Sequence, residues 1–181
     1  MTGVSKLGLQ SHVAFSPDSK LLACVGMDKR IHLWDVATRA ERARVHAEQG
    51  VLHCVAFAPN GKSLATASEG GVKLWDVRLL QDRVVLRERA ALTGFGCAIY
   101  GLAFLPDGKL LAFGVENKVE DGEVRLCDAV TGKELATLHS HDDAVHCVAF
   151  SPDGKSLASG SVDQTVKLWN TDKALRQQRR K

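Results

Sequence analysis

No stretch of this 181-residue sequence approaches the roughly 18 apolar residues that a membrane-crossing helix needs. Met1 to Lys6 lacks the charged start and apolar core of a secretory leader, so a cytoplasmic location is expected. Five cysteines, an odd number, show no C-x-x-C spacing, which speaks for small buried apolar residues rather than a redox or metal role. Neither a P-loop, a G-x-S-x-G nor an H-E-x-x-H occurs. Gly94-Phe95-Gly96 has only a superficial likeness to a dinucleotide loop, because no G-x-G-x-x-G is completed and no helix pattern follows.

A broad basic surface is also missing. The formal charge is +3, but residues 173–181 carry five of the 24 basic side chains and no acidic one. The remaining 19 basic residues face 21 acidic ones, a net of −2 over residues 1–172. A near-neutral body with a short cationic tail is not the footprint of a nucleic-acid binder. With 45% hydrophobic and 25% charged residues, the composition is that of a globular protein.

What the chain does contain is repetition. The only four prolines follow Phe15, Phe57, Phe104 and Phe150, which recur at intervals of 42, 47 and 46 residues. Each opens a turn: Ser16-Pro17-Asp18-Ser19, Ala58-Pro59-Asn60-Gly61, Leu105-Pro106-Asp107-Gly108 and Ser151-Pro152-Asp153-Gly154. Proline presets the second residue of such a turn, Asp or Asn suits the third, and glycine tolerates positive φ at the exit. Ser19 breaks the glycine pattern, so the first hairpin is expected to be strained or looser.

A short apolar strand follows each turn, as in Leu21–Cys24, Leu64–Thr66, Leu110–Phe113 and Leu157–Ser159. A third strand alternates with period two at Ile31/Leu33, Val72/Leu74, Val124/Leu126 and Val166/Leu168. It ends on Trp34-Asp35, Trp75-Asp76, Cys127-Asp128 and Trp169-Asn170, which uses all three tryptophans. A fourth strand is expected at residues 42–45, 83–86 and 135–138. Leu79 to Leu92 has a helix-like composition, but the repeat frame assigns it a strand.

Over roughly residues 9 to 172 the chain resembles the WD-repeat β-propeller family. The resemblance implies an all-β fold of four blades, with repeats at about 9–46, 50–88, 97–138 and 141–172, and a basic tail at 173–181. A four-stranded sheet cannot bury both of its faces alone, and radial stacking of copies does so.

The resemblance also implies a bracing relay of His, Ser or Thr, Asp and Trp in each blade. The fourth unit holds the whole set as His141, Ser159, Asp163 and Trp169. The first keeps Asp28 and Trp34, with Lys6 and Cys24 at the other two places. The second keeps Thr66 and Trp75, with Glu48 at the His place and Glu69 near the Asp place. The third has Phe95, Phe113 and Cys127 instead, plus an insertion at 117–121. Its blade is therefore expected to be held by packing alone, with a mobile loop.

Four units sit at the small end of the propeller range, and only residues 2–9 are available to complete the last blade from the far terminus. An open or partial ring with an incomplete fourth blade is expected, explained by self-association or by truncation of a larger propeller.

The function implied is a non-catalytic protein-interaction scaffold, with a protein or peptide partner, no cofactor, no metal and no membrane. The candidate partner surface is Ser11, His53, Tyr100 and His146 at the starts of the first strands, with Met27, Glu69 and Val162 in nearby turns. Amphipathic rings of this kind anchor interfaces, while strand alternation alone would bury them between blades. The alternative reading is a fragment or half-ring of a larger propeller, the regulatory part of an enzyme without independent activity.

Three further features are weighed against plain structural roles. His139, His141 and His146 lie close in sequence, but no ligand set recurs beside them. Asp142 and Asp143 read as solvated charges rather than an acid/base pair. The tail after Asp172 reads as frayed, too polar for a fourth strand.

Overall fold

The computed structural model describes residues 10–47, 50–80, 83–115, 122–139 and 141–178. They form a four-blade β-propeller. Blade one is β1 (Gln10–Phe15), β2 (Leu21–Gly26), β3 (Arg30–Asp35) and β4 (Glu41–His46). Blade two is β5 (Leu52–Phe57), β6 (Ser63–Ser68), β7 (Gly71–Leu80) and β8 (Arg83–Leu92). Blade three is β9 (Leu102–Phe104), β10 (Leu110–Val115), β11 (Glu123–Asp128) and β12 (Glu134–His139). Blade four has three strands, β13 (Val145–Phe150), β14 (Ser156–Ser161) and β15 (Val166–Asn170), followed by α1 (Thr171–Gln178). Each sheet is an antiparallel meander in sequence order. The first strands neighbour one another from blade to blade, β1 on β5, β5 on β9 and β9 on β13.

The core lies between blades. Ala23, Val25, Ile31 and Leu33 of blade one pack on Leu52, Val55, Leu64 and Trp75 of blade two. The far face of blade two packs in turn on Leu111, Phe113 and Cys127 of blade three. Ala112, Val124 and Leu126 then meet Val145 and Leu157 of blade four. Because both faces of an inner strand are covered, β6 and β10 are buried at every residue. That explains why their sequences run apolar and small without alternation. Each fully buried Val, Leu or Phe contributes about 1.5–3 kcal/mol.

Among the described residues, nothing covers the outer faces of the first and last blades in this way. Val13 and Phe15 are 53% and 60% exposed, and Val166 and Leu168 are 73% and 77% exposed. As described, residues 10–178 form an open arc. Residues 2–9, the expected closing segment, lie outside the described residues, as do Lys6, Glu48 and the 117–121 insertion.

The proline turns take the expected form. Gly61, Gly108 and Gly154 have φ of +67°, +73° and +70°, and Ser19 adopts the same left-handed conformation at +59°. A side chain in that region is strained, so the first turn carries a cost that the others avoid.

Two expectations need correction. Residues 173–178 do not fray from the blade: α1 forms over Thr171–Gln178, capped by Asn170, whose Oδ1 accepts from the Lys173 N–H at 2.8 Å. Ala174 is buried beside Ala136 and Leu138 and Leu175 packs partly against the same cluster, so two apolar residues dock a helix where a strand would need more. Blade three is not held by packing alone. Arg125 pairs with Glu123 and Glu134, both at 2.7 Å, and its guanidinium lies 5.2 Å from the Phe95 ring.

Candidate interaction surface and bracing network

In blade four, the antiparallel register brings the turn before β13 against the β14–β15 turn. His141 Nδ1 lies 2.7 Å from Asp163 Oδ2, and Nε2 lies 2.7 Å from Ser159 Oγ. A carboxylate only accepts, so Nδ1 carries the proton and Nε2 accepts from the serine hydroxyl. Ser159 Oγ in turn accepts from Trp169 Nε1 at 2.9 Å. Burial works against the charged form of Asp163. Hydrogen bonds from Thr165, His141 and the Asp142 backbone outweigh it and hold the carboxyl well below its ordinary range.

The other blades vary this arrangement. In blade two, Trp75 Nε1 donates to Thr66 Oγ1 at 2.9 Å. In blade three the aligned positions are filled by rings, with Phe95 edge-on to the buried Phe113 at 5.4 Å. In blade one Asp28 turns instead to His32, at 2.6 Å from Nε2, while Glu41 sits 2.7 Å from Nδ1. His32 is fully enclosed. Sequence reading missed it, although Asp28 and His32 flank one tight turn four residues apart. Arg89 was missed as well: it bonds Asp76 of its own blade and the Ala129 carbonyl of blade three, at 2.7 and 2.6 Å, tying the two together.

At the inner edge, the strand register slips at one residue in three blades. The slip falls between Gln10 and His12, Leu52 and Cys54, and Val145 and Cys147. Ser11, His53 and His146 thus fall at the slips, and for the two histidines the bulge re-aims the side chain out of the pleat. Strand alternation, which would set them beside Val55 or Val148, therefore does not hold at these positions. Tyr100, just before β9, stands between the two histidines, with ring centroids 4.8 Å from His53 and 4.7 Å from His146. A file of three rings runs across blades two, three and four. Ser11, at the same register position in β1, has no ring to extend it.

Met27, Glu69 and Val162 occupy the turns that follow Gly26, Ser68 and Ser161, the register partners of Gln10, Leu52 and Val145. They lie at the same end of the blades as the rings, and all three are exposed. Burial pushes the His53 imidazole below its ordinary value, and Glu69 partly offsets this.

The histidines close in sequence go to separate partners. His139 pairs with Glu123 at 3.2 Å, His141 with Asp163, and His146 stacks on Tyr100. Among the described residues no group of three His, Cys, Asp or Glu side chains is arranged to hold a metal ion. Among them, too, no helix is long and apolar enough to cross a membrane. Asp142 and Asp143 are exposed, and the Asp143 carboxylate accepts from the Ala144 N–H at 2.7 Å.

Comparison with known families places three segments, residues 8–35, 42–76 and 132–170, in the family described as WD domain, G-beta repeat. The chain belongs to the WD-repeat family. Its matched segments end with the third strand of a blade, and the latter two begin with the outer strand of the preceding one. In those two units the WD repeat is therefore offset from the blade and stitches two sheets together.

Among curated WD-repeat relatives, Pre-mRNA-processing factor 19 homolog 2 of Arabidopsis thaliana is 38% identical over 38% of this chain and 13% of its own length. Small ribosomal subunit protein RACK1 of Brassica napus is 37% identical over 45% of the chain and 24% of its own. Transcriptional corepressor LEUNIG_HOMOLOG of Arabidopsis thaliana is 36% identical over 35% and 8%. The chain thus matches under a third of the length of each of these relatives.

Proposed function

We propose that this WD-repeat chain is a non-catalytic protein-interaction scaffold that engages a protein or peptide at the His53–Tyr100–His146 edge. The ring file carries this reading. Three amphipathic side chains from three blades are aligned by two bulges, and Tyr100 keeps 38% of its surface exposed. Interface anchors have this character, a rigid apolar body with a polar tip. Exposed Met27 and Val162 supply apolar area around it, and Glu69 supplies charge. Membership of the WD-repeat family, whose relatives carry names as varied as ribosomal subunit protein and transcriptional corepressor, supports a platform whose partner is set by loop chemistry.

The absence of a nucleophile–base pair in the ring file supports a binding role over a chemical one. A cytoplasmic location fits the five thiols, none joined in a disulfide. Self-association through the uncovered end faces is a second class of partner consistent with an open arc. The alternative, a half-ring of a larger propeller serving an enzyme as its regulatory part, draws on the greater length of the relatives.

Affinity capture from the source cell with wild type and Tyr100→Ala tests the main reading. Loss of the same captured protein in the variant, with an unchanged circular dichroism spectrum, is expected. Equal capture by both proteins would overturn the assignment of this edge.

A further inference from the structure

The two ends of the arc expose opposite sides of the junction that joins its blades. At every junction inside the chain, the third strand presents a pair of apolar residues to the next blade. Ile31/Leu33, Val72/Leu74 and Val124/Leu126 are all at 0% exposure. Blade four presents the matching pair, Val166 and Leu168, to no described residue, at 73% and 77% exposure.

The receiving side of a junction is made by the first strand. Val55 of blade two is at 1% because blade one covers it, while Val13, its counterpart in blade one, is at 53% and the neighbouring Phe15 at 60%.

The uncovered face of blade four carries no charge. Its paired positions are Cys147 with Gly160, Ala149 with Ala158, and Val166 and Leu168 beside them. Lys167, the one cation within that run of β15, alternates to the other side. An uncharged apolar sheet face of this kind is what one blade shows another, and a soluble monomer rarely leaves it wet.

We infer that a second copy of this chain covers both faces at once. Blade four of each copy packs its Val166–Leu168 face onto the Val13–Phe15 face of blade one in the other, continuing the junction already used three times within the chain. The two faces are unlike and complementary, so the contact is head-to-tail, and a head-to-tail contact ends only when the ring closes. Two copies give eight blades, within the range of roughly four to eight that propellers adopt, whereas three copies would exceed it. The inference rests on the self-association reading of the open arc and is independent of the ring file as a partner site.

Sedimentation velocity and light scattering on the full chain, over a wide concentration range, test it. The expected species has twice the 19.6 kDa of one chain. Leu168→Glu and Phe15→Glu are each expected to raise the dimer dissociation constant by tenfold or more. An equimolar mixture of the two is expected to recover the dimer, because one junction in the mixed pair is then free of both substitutions. Val13→Glu repeats the blade-one test if Phe15→Glu disturbs the circular dichroism spectrum.

A single-chain mass at every concentration would overturn the inference. So would a dimer indifferent to Phe15→Glu, which would mean blade-four faces pairing with each other, or a mixture that stays monomeric. Partner capture through Tyr100 is read separately, so failure here leaves that assignment standing.

Discussion

Trp34 and Trp75 occupy the same repeat position, yet Trp75 Nε1 donates to Thr66 Oγ1 at 2.9 Å, while Trp34 Nε1 is enclosed without an acceptor among the described residues. One side chain makes the difference. Cys24 stands where blade two has Thr66, and a thiol is a weak acceptor in place of a hydroxyl. Burial also pushes the Cys24 thiol up, as expected for an apolar setting. Cys24→Ser is expected to supply the missing acceptor and to stabilise the chain by about 1 kcal/mol. Thermal unfolding reads this as a midpoint raised by about 2–4 °C. An unchanged or lowered midpoint would refute the explanation.

Removing the hydroxyl at the centre of blade four has the opposite sign. Ser159 serves both His141 and Trp169. Ser159→Ala leaves two buried groups unsatisfied, at an expected cost of about 1–3 kcal/mol each. Urea unfolding of Ser159→Ala, Trp169→Phe and the double variant measures the coupling. Strictly additive losses would show that the relay does not act as a unit.

The depressed carboxylates set an acid limit. Backbone and side-chain hydrogen bonds from Thr38, together with Arg42, hold Asp35 down at about 2 against an ordinary 3.8, and Asp163 is lowered in the same direction. A folded value below the unfolded one contributes stability that is fully present above pH 3.8 and lost as pH falls toward 2. Guanidinium midpoints are therefore expected to be flat from neutral pH to about 4 and then to fall. Asp163→Asn is expected to lower the midpoint at neutral pH and to shallow the acid slope. A slope identical to wild type would contradict the assignment.

Blades three and four approach through glycine. A Cβ on Gly114 would sit 2.3 Å from the Val145 carbonyl oxygen, and one on Gly101 would sit 2.8 Å from that of His146. Both contacts are with backbone, which cannot rotate away. Gly114→Ala is expected to force the blades apart and to raise hydrogen exchange across β10 and β13, while β1 to β3 keep their protection. Uniform protection throughout would show that the junction absorbs the methyl without strain.

Much of this molecule is legible in the chain itself. The Phe-x-Pro turns and the period-two pairs are local and recur four times, with Trp at the third-strand end in three units, so strand number, turn type and blade order follow from them. His141, Ser159, Asp163 and Trp169 are legible because each sits at a fixed offset within one repeat. His32 was not, since it stands outside the relay positions and its second partner, Glu41, lies on the following strand. The capped helix after Asn170 was also hidden, because its stability comes from Ala174 docking on Ala136 and Leu138, a contact far apart in sequence.

Tertiary structure alone decided the rest. The chain's own pattern determined that small antiparallel sheets would form with two apolar faces each, which compels them to stack. Whether His53, Tyr100 and His146 would lie buried or in file depended on one-residue slips in register, which hydrogen bonding to the neighbouring strand sets. Whether the arc would close depended on the cumulative rotation from blade to blade, a property of packing between sheets that no single repeat encodes.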